Sequence, residues 1–360
     1  MYRGLLRPVL FALSPSVAHA IALAALGPVE HIDAVRAIVR ALLAPPADSR
    51  IAVRVMGLEF PSPLGLAAGF DKNARRARAM AALGFGHVEL GTVTARPQEA
   101  NPRPNMFRLP ADRALVNRLG FPNEGAERVA TRLGGIRAAI TIPVGLSIGK
   151  SRAVLATDLQ AVIADYEESL KWVGPVADFV VVNVSSPNTA GLRGLQAREN
   201  ALELLRTLQK SASGPRILVK MAPDLSDGEL EELLSVVEET AIAGVVAINT
   251  TLAREGLATE DRRIRAIGPG GLSGPPLRSR AVQVVQRARA RLGREVAIVG
   301  VGGVERTEHV LALLRAGANL VQMYTGLIYE GPGAPARIAR ELSRRVESSG
   351  ARDLADLVRG

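Results

Sequence analysis

Cysteine is absent from the chain. Disulfides, thiolate metal sites, iron–sulfur clusters bound by this chain and a thiol nucleophile are therefore excluded. Histidine is nearly as scarce: His19, His31, His87 and His309 stand too far apart to suggest a metal cluster. Aromatic residues make up only 3% of a chain that is 48% hydrophobic, so Val, Leu, Ile and Ala must build the core. Long uninterrupted apolar runs are missing too. A membrane-crossing helix needs about 20 predominantly apolar residues, and Pro8, Pro15, His19 and Pro28 break the N-terminal region that comes nearest. Arg3, Arg7, the run VLFAL and Ala18-His19-Ala20 imitate a signal peptide. The run is shorter than the roughly 7–15 apolar residues of a signal core. Residues 1–44 read instead as two short amphipathic helices, the first capped by Ser14 or Ser16, on a chain that stays cytosolic and lies against a membrane surface.

Positive charge is plentiful: 45 Lys and Arg against 35 Asp and Glu, a net +10. That balance favours phosphates, acidic substrates or anionic lipid. No Lys/Arg block is interleaved with aromatics, so nucleic acid is not an expected partner.

Short apolar runs recur at Leu64–Phe70, His87–Val93, Val144–Ile148, Phe179–Val184, Ile217–Met221, Gly244–Ile248, Val296–Val301 and Leu320–Met323. Between them lie segments of helical period, among them Ala74–Leu83, Leu155–Trp172, Asn200–Gln209, Asp227–Ala241, Ser279–Arg291 and Thr307–Arg315. This alternation predicts an α/β fold, a (β/α)8 TIM barrel spanning residues 45–360 behind the helical extension 1–44. An open doubly wound sheet is the alternative, but the GxGxxG turn it usually carries after its first strand is missing. Residues 51–63 read as a small hairpin closing the N-terminal end of the barrel.

Polar residues gather where the runs end: Gly69 to Asn73, Gly91-Thr92, Ser147 with Lys150, Asn183 with Ser185 and Ser186, Lys220, Asn249 to Thr251, Gly302-Gly303 and Tyr324 to Gly326. Functional residues of barrels sit on that face. Taken alone, NVSSPN after Val182 also reads as an ordinary turn built from Ser and Asn. Two strand-to-strand intervals, Arg96–Asn123 and Arg254–Pro276, are long enough to act as lids or substrate loops.

The last two tips suggest phosphate. Val299 to Gly303 and Tyr324 to Gly326 offer backbone N–H groups after strands seven and eight, and Gly270 to Gly274 can add more. Lys72 and Lys220 are costly in a buried site unless an anion pairs with them. A flavin supplies one: its reduced ring is anionic, and its tail carries a phosphate. No histidine and no paired carboxylates occupy a tip in a catalytic arrangement, which disfavours metallohydrolase and glycosidase chemistry. Asp71 and Asp224 read as loop-ordering residues. The base is then Ser185 or Ser186, which needs an already acidified substrate proton.

LGLAAGFDKN, ELGTVTARPQEANPRPNMFRLP, NRLGFPNEG, NVSSPNTAGLR, VKMAPDL, INTT, GGLSGPPL, GVGGV and MYTGLIYEGP follow one another along the chain. In that order they resemble class 2, quinone-dependent dihydroorotate dehydrogenases over essentially the full length. The resemblance implies an FMN-dependent enzyme of pyrimidine biosynthesis that oxidises dihydroorotate to orotate and passes electrons to a membrane quinone. It implies no metal, a monomer, and peripheral attachment to the cytoplasmic face of the cell membrane. For FMN it implies Ala68, Gly69, Lys72, Thr92, Asn183 and Lys220 along the ring and ribityl chain, with Gly274, Gly303, Tyr324 and Thr325 at the phosphate. For the substrate it implies Lys72, the loop Asn117, Arg118, Leu119, Gly120 and Phe121, and Asn183, Asn188, Asn249 and Thr250. Ser186 is implied as the base. The quinone is expected in a tunnel under the N-terminal helices, its mouth formed by Leu5, Leu6, Val9, Leu10, Leu13, Ile21 and Leu23, with Arg3 and Arg7 toward lipid headgroups. Pro122, Ser147 and Ile248 depart from the family's usual Asn, Asn and Thr. Two other classes stay open here: an FMN barrel reductase using NAD(P)H, and a non-catalytic phosphate-binding barrel.

Overall fold

Eight parallel strands close into a barrel in a computed structural model that describes residues 2–45, 47–211 and 214–359. The strands are Leu64–Leu66, His87–Val93, Val144–Ile148, Phe179–Asn183, Arg216–Met221, Gly244–Ala247, Ala297–Val301 and Leu320–Met323. Each pairs with the next in chain order, and the eighth returns to the first through Val321 and Leu64. Side chains are buried on both faces of nearly every strand, which is why the sequence reads as continuous apolar runs rather than as alternation.

The first strand ends earlier than its apolar run, because Gly69 takes a φ of 106° and turns the chain into the site. Asp71 then captures the backbone N–H groups of Asn73, Arg75 and Arg76, so the following helix begins only at Ala77. The helix Thr307–Arg315 has the bounds its periodicity gives, and Asp158 caps Leu159–Val173 by accepting from the Ala161 N–H at 3.0 Å.

The hairpin is present as Val53–Val55 and Leu58–Phe60, antiparallel across Met56 and Gly57. Both turn residues have positive φ, matching the twist of the strands they join. Fully buried Phe60 enters the barrel floor beside Phe179, Leu218 and Leu320, so the hairpin plugs the end away from the strand tips.

The N-terminal extension has more pieces than two helices. A π-helical turn, Tyr2–Leu6, leads into Arg7–Ala12, followed by Pro15–Ala25, Gly27–His31 and Asp33–Leu43. Ser14 caps the helix beginning at Pro15, not the first, and Ser16 lies inside it. Barrel groups fasten these segments. Tyr2 donates to the Ile328 carbonyl at 2.6 Å, Arg108 to the Leu13 carbonyl at 2.7 Å, and Arg76 to the Leu23 carbonyl at 2.6 Å. Arg3 pairs with buried Glu330 while its side chain stays half exposed, and Arg7 donates to the Tyr329 carbonyl at 3.2 Å. Leu5, Val9, Leu13, Val17, Ile21, Ile38 and Leu42 remain exposed. Among the described residues no helix is long and apolar enough to cross a membrane.

The two long intervals fold onto each other. Ala114–Asn117 from the first pairs with Met106–Leu109 on one side and with Gly271–Ser273 from the second on the other, giving an antiparallel three-stranded sheet that roofs the tips.

Candidate active site and cofactor cleft

The strand tips surround a cleft of about 1000 Å³. Ala68, Gly69, Lys72, Thr92, Asn117, Leu119, Gly120, Phe121, Asn183, Ser186, Asn188, Lys220, Asn249, Thr250, Gly274, Gly303, Tyr324 and Thr325 all line it. Arg118 is the exception. Its guanidinium turns away, donating to the carbonyls of Ile267 at 2.7 Å and Pro269 at 2.9 Å and lying over the Phe107 ring. It therefore ties the two roof segments together instead of facing a ligand.

One hydrogen-bonded chain organises the polar wall. Thr92 Oγ1 and Ser147 Oγ lie 2.9 Å apart, and Asn183 Nδ2 donates to Thr92 Oγ1 at 3.0 Å. Ser147 thus acts on the cleft through Thr92. Asn183 Oδ1 accepts from the Ser185 hydroxyl at 3.2 Å and from Asn249 Nδ2 at 3.3 Å. Ser185 also accepts from Asn249 at 2.9 Å and does not line the cleft, so it supports the two asparagines. Ser186 does line it, and its Oγ accepts the Asn188 backbone N–H at 3.2 Å. Across the cleft Asn188 Nδ2 donates to Asn117 Oδ1 at 3.2 Å, joining the fourth strand tip to the roof. Thr189, three residues past Ser186, has a buried hydroxyl with no protein partner, a feature that reading the strand tips passed over.

Lys72 Nζ donates to the Gly69 carbonyl, and burial lowers its pKa to about 8. A lysine held this way favours an anionic ligand, which would raise its pKa again. The roof loop beside it is rigid. Gln98 Nε2 donates to the Gly120 carbonyl at 2.7 Å, while Asn123 Nδ2 donates to Thr94 Oγ1 and the Phe121 carbonyl, each at 2.8 Å. Asn123 thus anchors the loop next to Pro122. Asp224 accepts from the Leu252 N–H at 3.2 Å and pairs with Arg193 at 2.7 Å, so both it and Asp71 order loops, as expected. Ile248 borders the cleft, with its backbone N–H given to the Val301 carbonyl.

At the far end Gly274, Gly302 and Gly303 meet Tyr324 and Thr325, and Thr325 Oγ1 lies 2.8 Å from Ser273 Oγ. A Cβ at Gly274 would sit 2.9 Å from the Arg113 carbonyl oxygen, and one at Gly303 would sit 3.0 Å from Arg278 Cβ. Backbone without side chains, flanked by two hydroxyls, suits a phosphate. Thr92, Asn183 and Lys220 offer the donors and acceptors that a planar ring rich in nitrogen and oxygen needs. The residues present fit FMN.

A second, mostly apolar cavity of about 1330 Å³ opens between the N-terminal helices and the barrel. Leu6, Leu10, Phe11, Ala18, Ala22 and Phe70 contribute to it, and it shares Asn117, Ser273 and Tyr324 with the cleft. Of the residues expected at a tunnel mouth, Leu6 and Leu10 line it. Leu5, Val9, Leu13 and Ile21 face outward, and Leu23 packs on the core. His19 lies in this cavity edge-on to Phe70, and burial lowers its pKa to about 4, with Lys72 adding to the effect.

A closed parallel barrel with a glycine phosphate cradle, a ring-binding polar wall and an adjoining apolar chamber defines a flavin-nucleotide oxidoreductase of the TIM-barrel class. Residues 50–346 match the family model described as dihydroorotate dehydrogenase. Proteins named dihydroorotate dehydrogenase (quinone) from Rhodococcus opacus and Thermobifida fusca are 48% and 46% identical to it. The alignments cover 99% of this chain in both cases, and 98% and 96% of the relatives. The crystal structure of DHODH from Eimeria tenella in complex with ferulenol superposes with a TM-score of 0.84 at 32% identity, covering 97% of this chain and 98% of that one. The chain belongs to the dihydroorotate dehydrogenase family.

Proposed function

We propose that the cleft oxidises dihydroorotate to orotate in pyrimidine biosynthesis, with FMN as cofactor and a quinone as the final acceptor. Bound there, FMN would supply the hydride-accepting ring for the substrate's C6 and the route by which electrons reach quinone. Ala68, Gly69, Thr92, Asn183 and Lys220 would hold its ring and ribityl chain, and Gly274, Gly303, Tyr324 and Thr325 its phosphate.

The observation that carries this reading is the placement of Ser186. Its hydroxyl faces the cleft amid Lys72, Asn117, Asn188, Asn249 and Thr250, and among the described residues no histidine, cysteine or carboxylate lines that cleft. Lys72 binds the substrate carboxylate, and the asparagines and Thr250 orient the ring amides. Ser186 Oγ takes the C5 proton while its own hydroxyl proton is relayed away toward solvent. A hydroxyl is a weak base, so its oxygen needs help in carrying negative character. The Asn188 N–H supplies some, because a hydrogen bond to the charged form favours that form.

The quinone is assigned to the apolar chamber, whose shared wall at Tyr324 and Ser273 brings it next to the cofactor cleft. Residues 1–44 then form the extension that covers the chamber and meets the membrane surface through Leu5, Val9, Ile21, Ile38 and Leu42. The protein is read as a peripheral monomer on the cytoplasmic face. Replacing Ser186 by Ala tests the assignment. FMN should remain bound while the cofactor's reduction by dihydroorotate slows by roughly 10²–10⁴-fold, the usual worth of a general base. An unchanged rate would move the proton to another group.

A further inference from the structure

One ionisable side chain near the site has no part in that scheme. Glu89, in the middle of the second strand, is fully enclosed inside the barrel. Its Oε2 accepts from Gln322 Nε2 of the eighth strand at 2.8 Å. Its Oε1 has no hydrogen-bond partner, and neither has Gln322 Oε1. Lys220 Nζ, from the fifth strand, stands 3.8 Å from Glu89 Oε1. The interior below is built from Phe60, Phe179, Val181, Leu218, Val246 and Val299 around the buried His87 ring. Stability gives no reason for this arrangement, since a half-satisfied buried carboxylate costs more than an aliphatic side chain of similar size.

Geometry supplies a reason. Lys220 and Gln322 line the cleft, whereas Glu89 does not. The carboxylate therefore reaches the cleft only through Lys220 and Gln322, and of these two only the ammonium carries charge. We infer that Glu89 is a positioning residue that sets how strongly Lys220 attracts negative charge arriving on the bound cofactor. The carboxylate draws the ammonium toward the barrel axis and offsets part of its charge. Gln322 limits that effect by occupying the other carboxylate oxygen. This inference rests on the FMN reading above and adds a role for a residue one layer behind the cofactor.

The test is the midpoint potential of bound FMN in purified holoprotein, measured by anaerobic reductive titration against a reference dye. Glu89→Gln keeps the shape and removes the countercharge. It should shift the equilibrium toward reduced cofactor by at least tenfold, about 30 mV upward for a two-electron couple. Gln322→Leu frees the carboxylate to compete harder for Lys220 and should move the potential downward. A purely structural role gives no such opposition of sign. Potentials unchanged in both variants, or moved in the same direction, would overturn the inference. If Glu89→Gln fails to fold, the downward shift in Gln322→Leu still decides: its absence refutes the proposal. Lys220→Ala is the control on the underlying reading, expected to lower the potential. Should wild-type protein carry no FMN, the cofactor reading fails; should Lys220→Ala leave the potential unmoved, Lys220 is not at the ring and the inference falls with it.

Discussion

His87 makes the protein sensitive to mild acid. Its ring is wholly buried in the barrel floor, edge-on to Phe60 at 5.4 Å and to Phe179 at 6.3 Å, and both its nitrogens lack partners. Gly65 makes the room, for a Cβ there would lie 2.2 Å from the imidazole. Burial lowers the His87 pKa from 6.5 to about 3. The folded state thus refuses a proton that the unfolded chain accepts, so stability is complete above pH 6.5 and is lost as pH falls toward 3. At about pH 4.5, still above the folded value, the penalty depends only on the unfolded chain: two units at about 1.36 kcal/mol each, or roughly 2.7 kcal/mol. That is a large share of the ~5–15 kcal/mol that holds a typical domain together. His19 adds a loss of the same sign, so the comparison must be made against a variant. His87→Phe should fall within ~1–3 kcal/mol of wild type at neutral pH, the range for slight overpacking. Denaturant unfolding curves of both proteins at about pH 7.5 and 4.5 give the difference directly, and the variant should gain roughly 2–3 kcal/mol on wild type as the pH drops. Parallel loss in the two proteins would refute the argument.

Two further outcomes follow from the site. Because Lys72 titrates near pH 8 in the free protein, kcat/KM for dihydroorotate should fall as pH rises through about 8, and Lys72→Met should lose both that inflection and most of the activity. A pH profile that is flat from 7 to 9 in wild type, on the order of the range where the free enzyme's groups report, would remove Lys72 from substrate binding. Ala22→Trp fills the apolar chamber. It should raise the KM for quinone at least several-fold while leaving anaerobic reduction by dihydroorotate within about twofold of wild type, as expected of separate ligand sites. Equal damage to both half-reactions would show that the chamber is not a separate acceptor site.

The barrel was legible because parallel strands buried on both faces produce apolar runs, and the polar residues ending those runs share one face. The glycines and asparagines of the cleft could be found for the same reason. Other features depend on contacts distant in the chain. That Gly271–Ser273 pairs with Ala114–Asn117 is not written in either segment, so the long intervals read only as loops. Arg118 sits in a loop whose neighbours all reach the cleft, and nothing local reveals that carbonyls of residues 267 and 269 draw it away. The start of the helix at Ala77 rather than Ala74 reflects a carboxylate capturing three backbone groups, a competition that periodicity does not register. Glu89 did carry a signal. In HVELGTV the residues His87, Glu89 and Gly91 share one strand face by two-residue alternation, so a charge sits mid-strand in a run that is otherwise largely apolar. Attention to strand ends passes over a charge placed mid-strand. In the extension, Pro and Gly breaks divide residues 1–44 into more segments than amphipathic pattern alone suggests.

The central claim is that this chain moves electrons from dihydroorotate through FMN to a quinone. Anaerobic mixing of purified holoprotein with dihydroorotate, followed by absorbance of the flavin band, tests it most directly. The account predicts bleaching by dihydroorotate and recovery on adding a soluble quinone, with no recovery on adding NAD⁺ or fumarate. Absence of a flavin band, a band that dihydroorotate leaves unchanged, or recovery by NAD⁺ alone would contradict it.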